Sequence, residues 1–170
     1  MQTDYLGMSL SISDLDSDNQ DYFRFAAAHD FRLQQCGSCN LLRYPPASRC
    51  VWCSEPRSTW VSVPGTGTVY SYGEVHHAIQ PPFQAFVPYL LLLVELDVQR
   101  EQPSHGDAIR VVGNLVTSDG TLAPADLVRK VGIGSRMRMV FTDIGPELSL
   151  PQWTIDETGP AHSPWRYPNG

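Results

Sequence analysis

A mostly β fold is predicted by three features of the sequence. All four cysteines fall in two C-x-x-C pairs, Cys36-Gly-Ser-Cys39 and Cys50-Val-Trp-Cys53, with ten residues between them. From Trp60 onward the chain forms about five short alternating or apolar segments, with glycines at the bends. These segments follow one another without the strand–helix–strand rhythm of a parallel sheet. The prediction is an N-terminal helix, a rubredoxin-like ribbon built on the four sulfurs, and a five-stranded closed barrel of the OB type. The expected divisions are 1–30 for an acidic arm and helix, 31–58 for the ribbon, 59–153 for the barrel and 154–170 for a loose tail.

Residues 1–16 show no periodicity and are expected to be extended and mobile. Ser17 or Asp18 caps a helix, with Asp18 and Asp21 near its positive dipole end. Tyr22, Phe25 and Ala26 form its apolar stripe, which Phe23 and Ala27 widen. Such a helix either packs on its own domain or docks on another protein, with Tyr22 and Phe23 as contacts. Phe31–Gln35 begins the ribbon. In it, two thiolates three residues apart on a tight turn point at one centre, and two facing turns close a tetrahedron of sulfur that suits structural zinc. Iron, as in a rubredoxin, and disulfides are the alternatives. The barrel is expected to keep its secondary structure when the ribbon loses its metal.

Trp60–Val63 reads as a strand and Pro64–Gly67 as a turn. Alternation over Thr68–His77 places Tyr70, Tyr72, Glu74 and His76 on one face, with Gly73 allowing a bend. Residues 78–86 form a loop whose Phe83 and Phe86 are candidate interface anchors. Val87–Leu96 is nearly all apolar and is a central strand. Ile109–Val116 is the next strand, with Gly113-Asn114 as a bulge or kink, and Pro124–Val131 is a short helix. In Ser135–Phe141, Met137, Met139 and Phe141 alternate with Arg136 and Arg138. Leu148–Trp153 is the last strand.

Charge bounds the function. The net charge is −6, and five of those charges lie in the first thirty residues, where six Asp face only Arg24. This acidic balance, with a single lysine, argues against a nucleic-acid partner, whose phosphates dominate such binding. The longest apolar run, Leu90–Val94, is too short to cross a bilayer. Met1-Gln-Thr-Asp-Tyr5 lacks the basic and apolar regions of a secretion signal, so a cytoplasmic location is expected.

No G-x-S-x-G elbow or H-E-x-x-H helix occurs. Glu74 and His76 are the best titratable pair, and a self-sufficient hydrolase or lyase would have to use them. Arg136 and Arg138 are candidates to meet CoA phosphates or an acidic partner, against the alternative of a solvated strand face. A single-stranded nucleic-acid module is the rival function, and it needs a basic, aromatic groove.

A resemblance adds to this reading. Cys36-x-x-Cys39, Tyr44-Pro45-Pro46, Cys50-x-x-Cys53, Trp60, Gly65-x-Gly67-x-Val69, Pro88-Tyr89, Val94-Glu95-Leu96, Gly113-Asn114, Ile133-Gly134 and Leu150-Pro151 occur in one order. Over residues 20–152 the chain resembles the zinc-ribbon plus OB-fold family associated with acyl-CoA enzymes, domain of unknown function 35. It departs from the family pattern at Val51, where a proline is frequent. The resemblance implies a non-catalytic accessory subunit of a thiolase-fold thiolase or aldolase, acting on fatty-acyl or steroid thioesters. It implies a hetero-oligomer, expected as a heterotetramer, in which this chain stabilises the partner and helps form the channel for acyl-CoA. The partner would supply the catalytic residues.

Overall fold

A computed structural model describes residues 2–159 and 163–168. The N-terminal arm is structured. Strands β1 (Gln2–Tyr5) and β2 (Met8–Ser11) form a hairpin, and its turn residues Leu6 and Gly7 take positive φ of 53° and 83°. Two left-handed residues make the turn whose twist matches antiparallel strands. Tyr5 is buried, with its ring edge-on to Phe83 at 6.1 Å. The expected mobile arm is thus corrected for the described residues; Met1 lies outside them.

Helix α1 (Ser17–Ala27) is capped by Asp16, one residue before the expected cap, whose carboxylate accepts from Asn19 N at 3.0 Å. His29 ends it at φ 54°. His29 N donates to Ala26 O at 2.9 Å and Asp30 N to Phe25 O at 3.0 Å, a Schellman arrangement with histidine in the left-handed position. The ribbon sheet has the order β4 (Leu42–Arg43), β3 (Arg32–Cys36), β5 (Ser58–Ser62). Trp60 and Val61, expected to open the barrel, therefore belong to the ribbon sheet.

The barrel holds β6 (Thr66–Val75), β7 (Tyr89–Leu96), β8 (Arg110–Asn114), β9 (Arg136–Gly145) and β10 (Leu148–Ile155), in the order β10-β9-β6-β7-β8. A parallel bridge between Leu115 and Trp153 closes it, giving the expected OB topology. The short helix α2 (Ala125–Val128) precedes β9. Trp153 is fully buried, and Gly113 lets it approach, since a Cβ there would meet Trp153 Cδ1 at 2.9 Å. One core runs through all parts: Tyr22 of the helix and Phe31 and Leu33 of the ribbon join Val69, Leu92, Val111, Met137 and Trp153.

Two expectations about the barrel are corrected. The irregularity in β6 is a bulge between Val69 and Ser71, not a bend at Gly73. The extra residue, Tyr70, shifts the alternation, so Val69 and Tyr72 both turn to the core while Tyr70 is exposed. The segment after Ile155 is anchored where it is described. Trp165 pairs with Ile133, and Arg166 donates to Val128 O at 2.6 Å and bonds Glu74 and Val131 O. Residues 160–162 and 169–170 of the expected tail lie outside the described residues.

Candidate metal centre

The four cysteines converge. Their sulfurs all lie within 4.8 Å of one another, with Cys36 Sγ to Cys53 Sγ at 3.5 Å and Cys39 Sγ to Cys50 Sγ at 3.6 Å. Tetrahedral coordination at a zinc–sulfur distance of about 2.3 Å needs sulfurs about 3.8 Å apart. The donor set therefore fits a closed four-sulfur centre and leaves no protein-side opening for substrate.

The backbone dictates this convergence. Cys36 ends β3, and the first turn returns through Asn40 at φ 61°, with Asn40 N donating to Cys36 O at 3.2 Å. The second turn repeats the device: Ser54 takes φ 62° and Ser54 N donates to Cys50 O at 2.9 Å. Asparagine tolerates the left-handed region through its own short polar side chain. Gly37 N donates to Arg57 O at 2.9 Å, which ties the first knuckle to the segment leading into β5.

The first turn favours thiolate at Cys36. The N–H groups of Ser38 and Cys39 directed at Cys36 sulfur hold its thiol down to about 6. A backbone N–H from Leu41 pulls the Cys39 thiol down, but burial and the three neighbouring sulfurs together outweigh it and push Cys39 up to about 12. Four sulfurs cannot all carry charge this close together without a cation. Cys36 and Cys50 are buried, whereas Cys53 is exposed beside the exposed Val51 and Trp52.

The other sequence-predicted site residues are dispersed. Arg136 is engaged inside the chain by Asp97, whereas Arg138 is exposed. Phe83 and Phe86 lie in a 3-10 turn (Pro81–Phe86) and pack, half-buried, on a small cluster of Val116, Leu122 and Val140. Phe83 also meets the ring of Tyr89 at 5.4 Å, so these loop aromatics have neighbours in their own chain. Tyr22 is buried against Phe23, Phe31 and Tyr44, with Phe23 half-buried at the edge of the core. The inner face of α1 is thus covered by its own chain.

Glu74 pairs with Arg166 and lies 3.4 Å from His76, so its carboxylate is held by a guanidinium. The ion pairs Glu74–Arg166 and Asp97–Arg136 and the His29–Asp143 hydrogen bond were not legible in the sequence. Their partners stand 92, 39 and 114 residues apart. No helix among the described residues is long and apolar enough to cross a membrane.

Comparison with known proteins follows this architecture. Residues 60–142 match the family model described as ChsH2, C-terminal OB-fold domain. The solved Ltp2-ChsH2(DUF35) aldolase superposes with a TM-score of 0.64 at 32% identity, over 83% of this chain and 96% of that one. A DUF35-family protein of unknown function from Sulfolobus solfataricus shares the fold at 12% identity and TM-score 0.52, over 84% of this chain and 88% of that chain. A protein named probable enoyl-CoA hydratase alpha subunit, from Thermomonospora curvata, is 34% identical over 137 residues. That stretch is 81% of this chain but only 37% of the relative's length. With a barrel that fits the ChsH2 model and a relative at 32% identity matched almost end to end, this chain belongs to the DUF35 family.

Proposed function

We propose that this chain is a non-catalytic accessory subunit of a thiolase-fold enzyme that makes or breaks carbon–carbon bonds in acyl-CoA thioesters. The observation that carries the reading is the likeness to the Ltp2-ChsH2(DUF35) aldolase over 83% of the chain. The hydratase subunit name of the Thermomonospora relative supports the same acyl-CoA setting. The engagement of Glu74 by Arg166 supports placing the reaction in a partner. In this reading the four cysteines hold zinc, whose role is to keep the ribbon rigid. It supplies no substrate chemistry, because the four sulfurs fill its coordination.

The assembly proposed is a hetero-oligomer with two copies of each subunit, in which this chain stabilises the partner and helps wall the channel for the CoA thioester. Arg138 is the proposed contact with CoA phosphates or an acidic partner surface, since its side chain is exposed while Arg136 is engaged by Asp97. The outer face of the barrel beside β7 and β8 carries exposed Leu91 and Val112 instead of a basic groove, which favours a protein partner over single-stranded nucleic acid.

The test is co-expression with a thiolase-fold acyl-CoA enzyme from the same genome, followed by size-exclusion chromatography and assay of the complex. Co-elution, with turnover that neither chain has alone, is expected. Turnover of a thioester by this chain unaided, or elution apart from every such enzyme, overturns the proposal.

A further inference from the structure

The four sulfur-bearing residues are not equivalent. Cys36 and Cys50 are 1% and 3% exposed, Cys39 is half-buried, and Cys53 is exposed. The closest sulfur contacts cross between the two turns, Cys36 to Cys53 at 3.5 Å and Cys39 to Cys50 at 3.6 Å. Each contact therefore joins a buried cysteine to a more open one, and the widest contrast is between Cys36 and Cys53.

The second turn carries its last cysteine outward. Cys50 N donates to Glu55 O and Ser54 N to Cys50 O, both at 2.9 Å, which anchors Cys50 inside. Val51, Trp52 and Cys53 are all exposed on the turn that follows. Arg49 Nη1 donates to Ser54 O at 3.1 Å, so a guanidinium is held one residue along the chain from Cys53. Accessible sulfurs in electropositive surroundings are the ones that oxidants reach, and a nearby second cysteine makes the oxidation reversible.

We propose that Cys53 is an oxidation site for hydroperoxides, with Cys36 as its resolving sulfur, and that the disulfide they form opens the metal centre. The Cys53 thiolate attacks one peroxide oxygen, the O–O bond breaks, and the second oxygen leaves as hydroxide or alkoxide. Cys53 is then a sulfenic acid. The Cys36 thiolate attacks the Cys53 sulfur, the S–S bond forms, and the sulfenic oxygen leaves as hydroxide. The two sulfurs together lose two electrons and the peroxide gains two. Only Cys39 and Cys50 then remain as thiolate donors, whereas a structural zinc site needs four ligands. Cys36 ends β3, whose Leu33 lies in the core shared with the barrel, so the oxidised sulfur sits on the strand that joins ribbon to barrel. This inference rests on the four cysteines being a metal centre and is independent of the acyl-CoA reading.

The experiment is a titration of the metal-loaded chain with hydrogen peroxide. Metal content is measured before any peroxide is added, and release is followed with a chromophoric chelator. The sulfurs are read by alkylation before and after reduction, then by mass spectrometry of the digested chain. Cys36 and Cys53 are expected to leave the free-thiol pool first and together, with full loss of the metal from each chain so oxidised. Dimedone is expected to trap the sulfenic acid at Cys53 before any other cysteine. A first disulfide within one C-x-x-C pair, or between Cys39 and Cys50, overturns the proposal. So does metal retained after the Cys36–Cys53 bond has formed, or four thiols unchanged by excess peroxide. A chain that takes up no metal before peroxide is added overturns the metal reading as well, which sets that failure apart from the others.

Discussion

Arg136 on β9 and Asp97 at the end of β7 are joined by two parallel hydrogen bonds, Nη1 to Oδ1 at 2.8 Å and Nη2 to Oδ2 at 2.6 Å. Thr66 adds a hydroxyl to Asp97 at 2.8 Å, and Arg100 lies 3.0 Å from its other oxygen. The group ties β6, β7 and β9 together at one end of the barrel. A fork of two N–H donors on a carboxylate fixes geometry as well as charge.

Acid stability should report this pair. The Arg136 hydrogen bonds hold the Asp97 carboxyl down to about 2, below the ordinary value of 3.8. A depressed folded value contributes stability that is present above the unfolded pKa of about 3.9 and is lost as pH falls toward the folded one. Asp97→Asn is therefore expected to lower stability at neutral pH, with the gap from wild type narrowing between roughly pH 4 and pH 2. Urea unfolding at several pH values checks it. A gap that stays constant down to the lowest pH would show that the charge on Asp97 does not matter.

Removing a metal ligand should reach beyond the ribbon. Cys36 continues directly from β3, whose Leu33 is 1% exposed and shares one core with Val69, Leu92 and Trp153. The sequence suggests a barrel that stands without its ribbon, but the shared core links them. Structural zinc in small fingers is worth about 10–16 kcal/mol to the fold. Cys36→Ser is expected to release the metal and to lower the melting temperature of the barrel's own signal by several degrees or more. Elemental analysis and thermal melts followed at strand wavelengths test this. A metal-free variant melting with wild-type barrel stability would separate the two parts.

What could be read in advance follows from the range of each determinant. The metal centre was legible because its ligands come from two local turns of fixed spacing, and β9 because Met137 and Arg138 alternate within one strand. Longer-range features were hidden. The bulge at Tyr70 breaks an alternation that looks unbroken in sequence, and only pairing with β7 reveals it. Phe83 looked unpartnered because its neighbour Tyr5 sits in an arm with no periodic pattern. Trp165 and Arg166 lie in a stretch rich in Pro and polar residues, yet they dock on distant residues, Trp165 on Ile133 and Arg166 on Glu74, Val128 and Val131. No local property of a tail encodes its dock.

Gly113 should tolerate no side chain. A Cβ there would lie 2.9 Å from Trp153 Cδ1 and 3.3 Å from Gln152 Oε1, the atom that accepts Asn114 N–H. Trp153 is fully buried and closes the barrel against Leu115, so it has no room to withdraw. Gly113→Ala is expected to cost about 1–3 kcal/mol through overpacking. Tryptophan fluorescence and chemical unfolding measure it, and a loss below about 0.5 kcal/mol would mean that the closure relaxes freely.

Arg43 is a different case, a buried charge with no hydrogen-bond partner for its guanidinium among the described residues. Its residue is 3% exposed. Its cross-strand neighbour Gln34 is satisfied instead, donating to Asp18 at 3.0 Å and accepting from Ala47 N at 2.8 Å. An unpaired buried cation pays desolvation without Coulombic return, so an apolar side chain of similar length should fit better. Arg43→Met is expected to hold or raise stability, by about 1–3 kcal/mol, with metal content unchanged. Urea unfolding of wild type and variant under identical conditions decides the matter. Destabilisation beyond about 1 kcal/mol would show that the guanidinium has found a partner in solution.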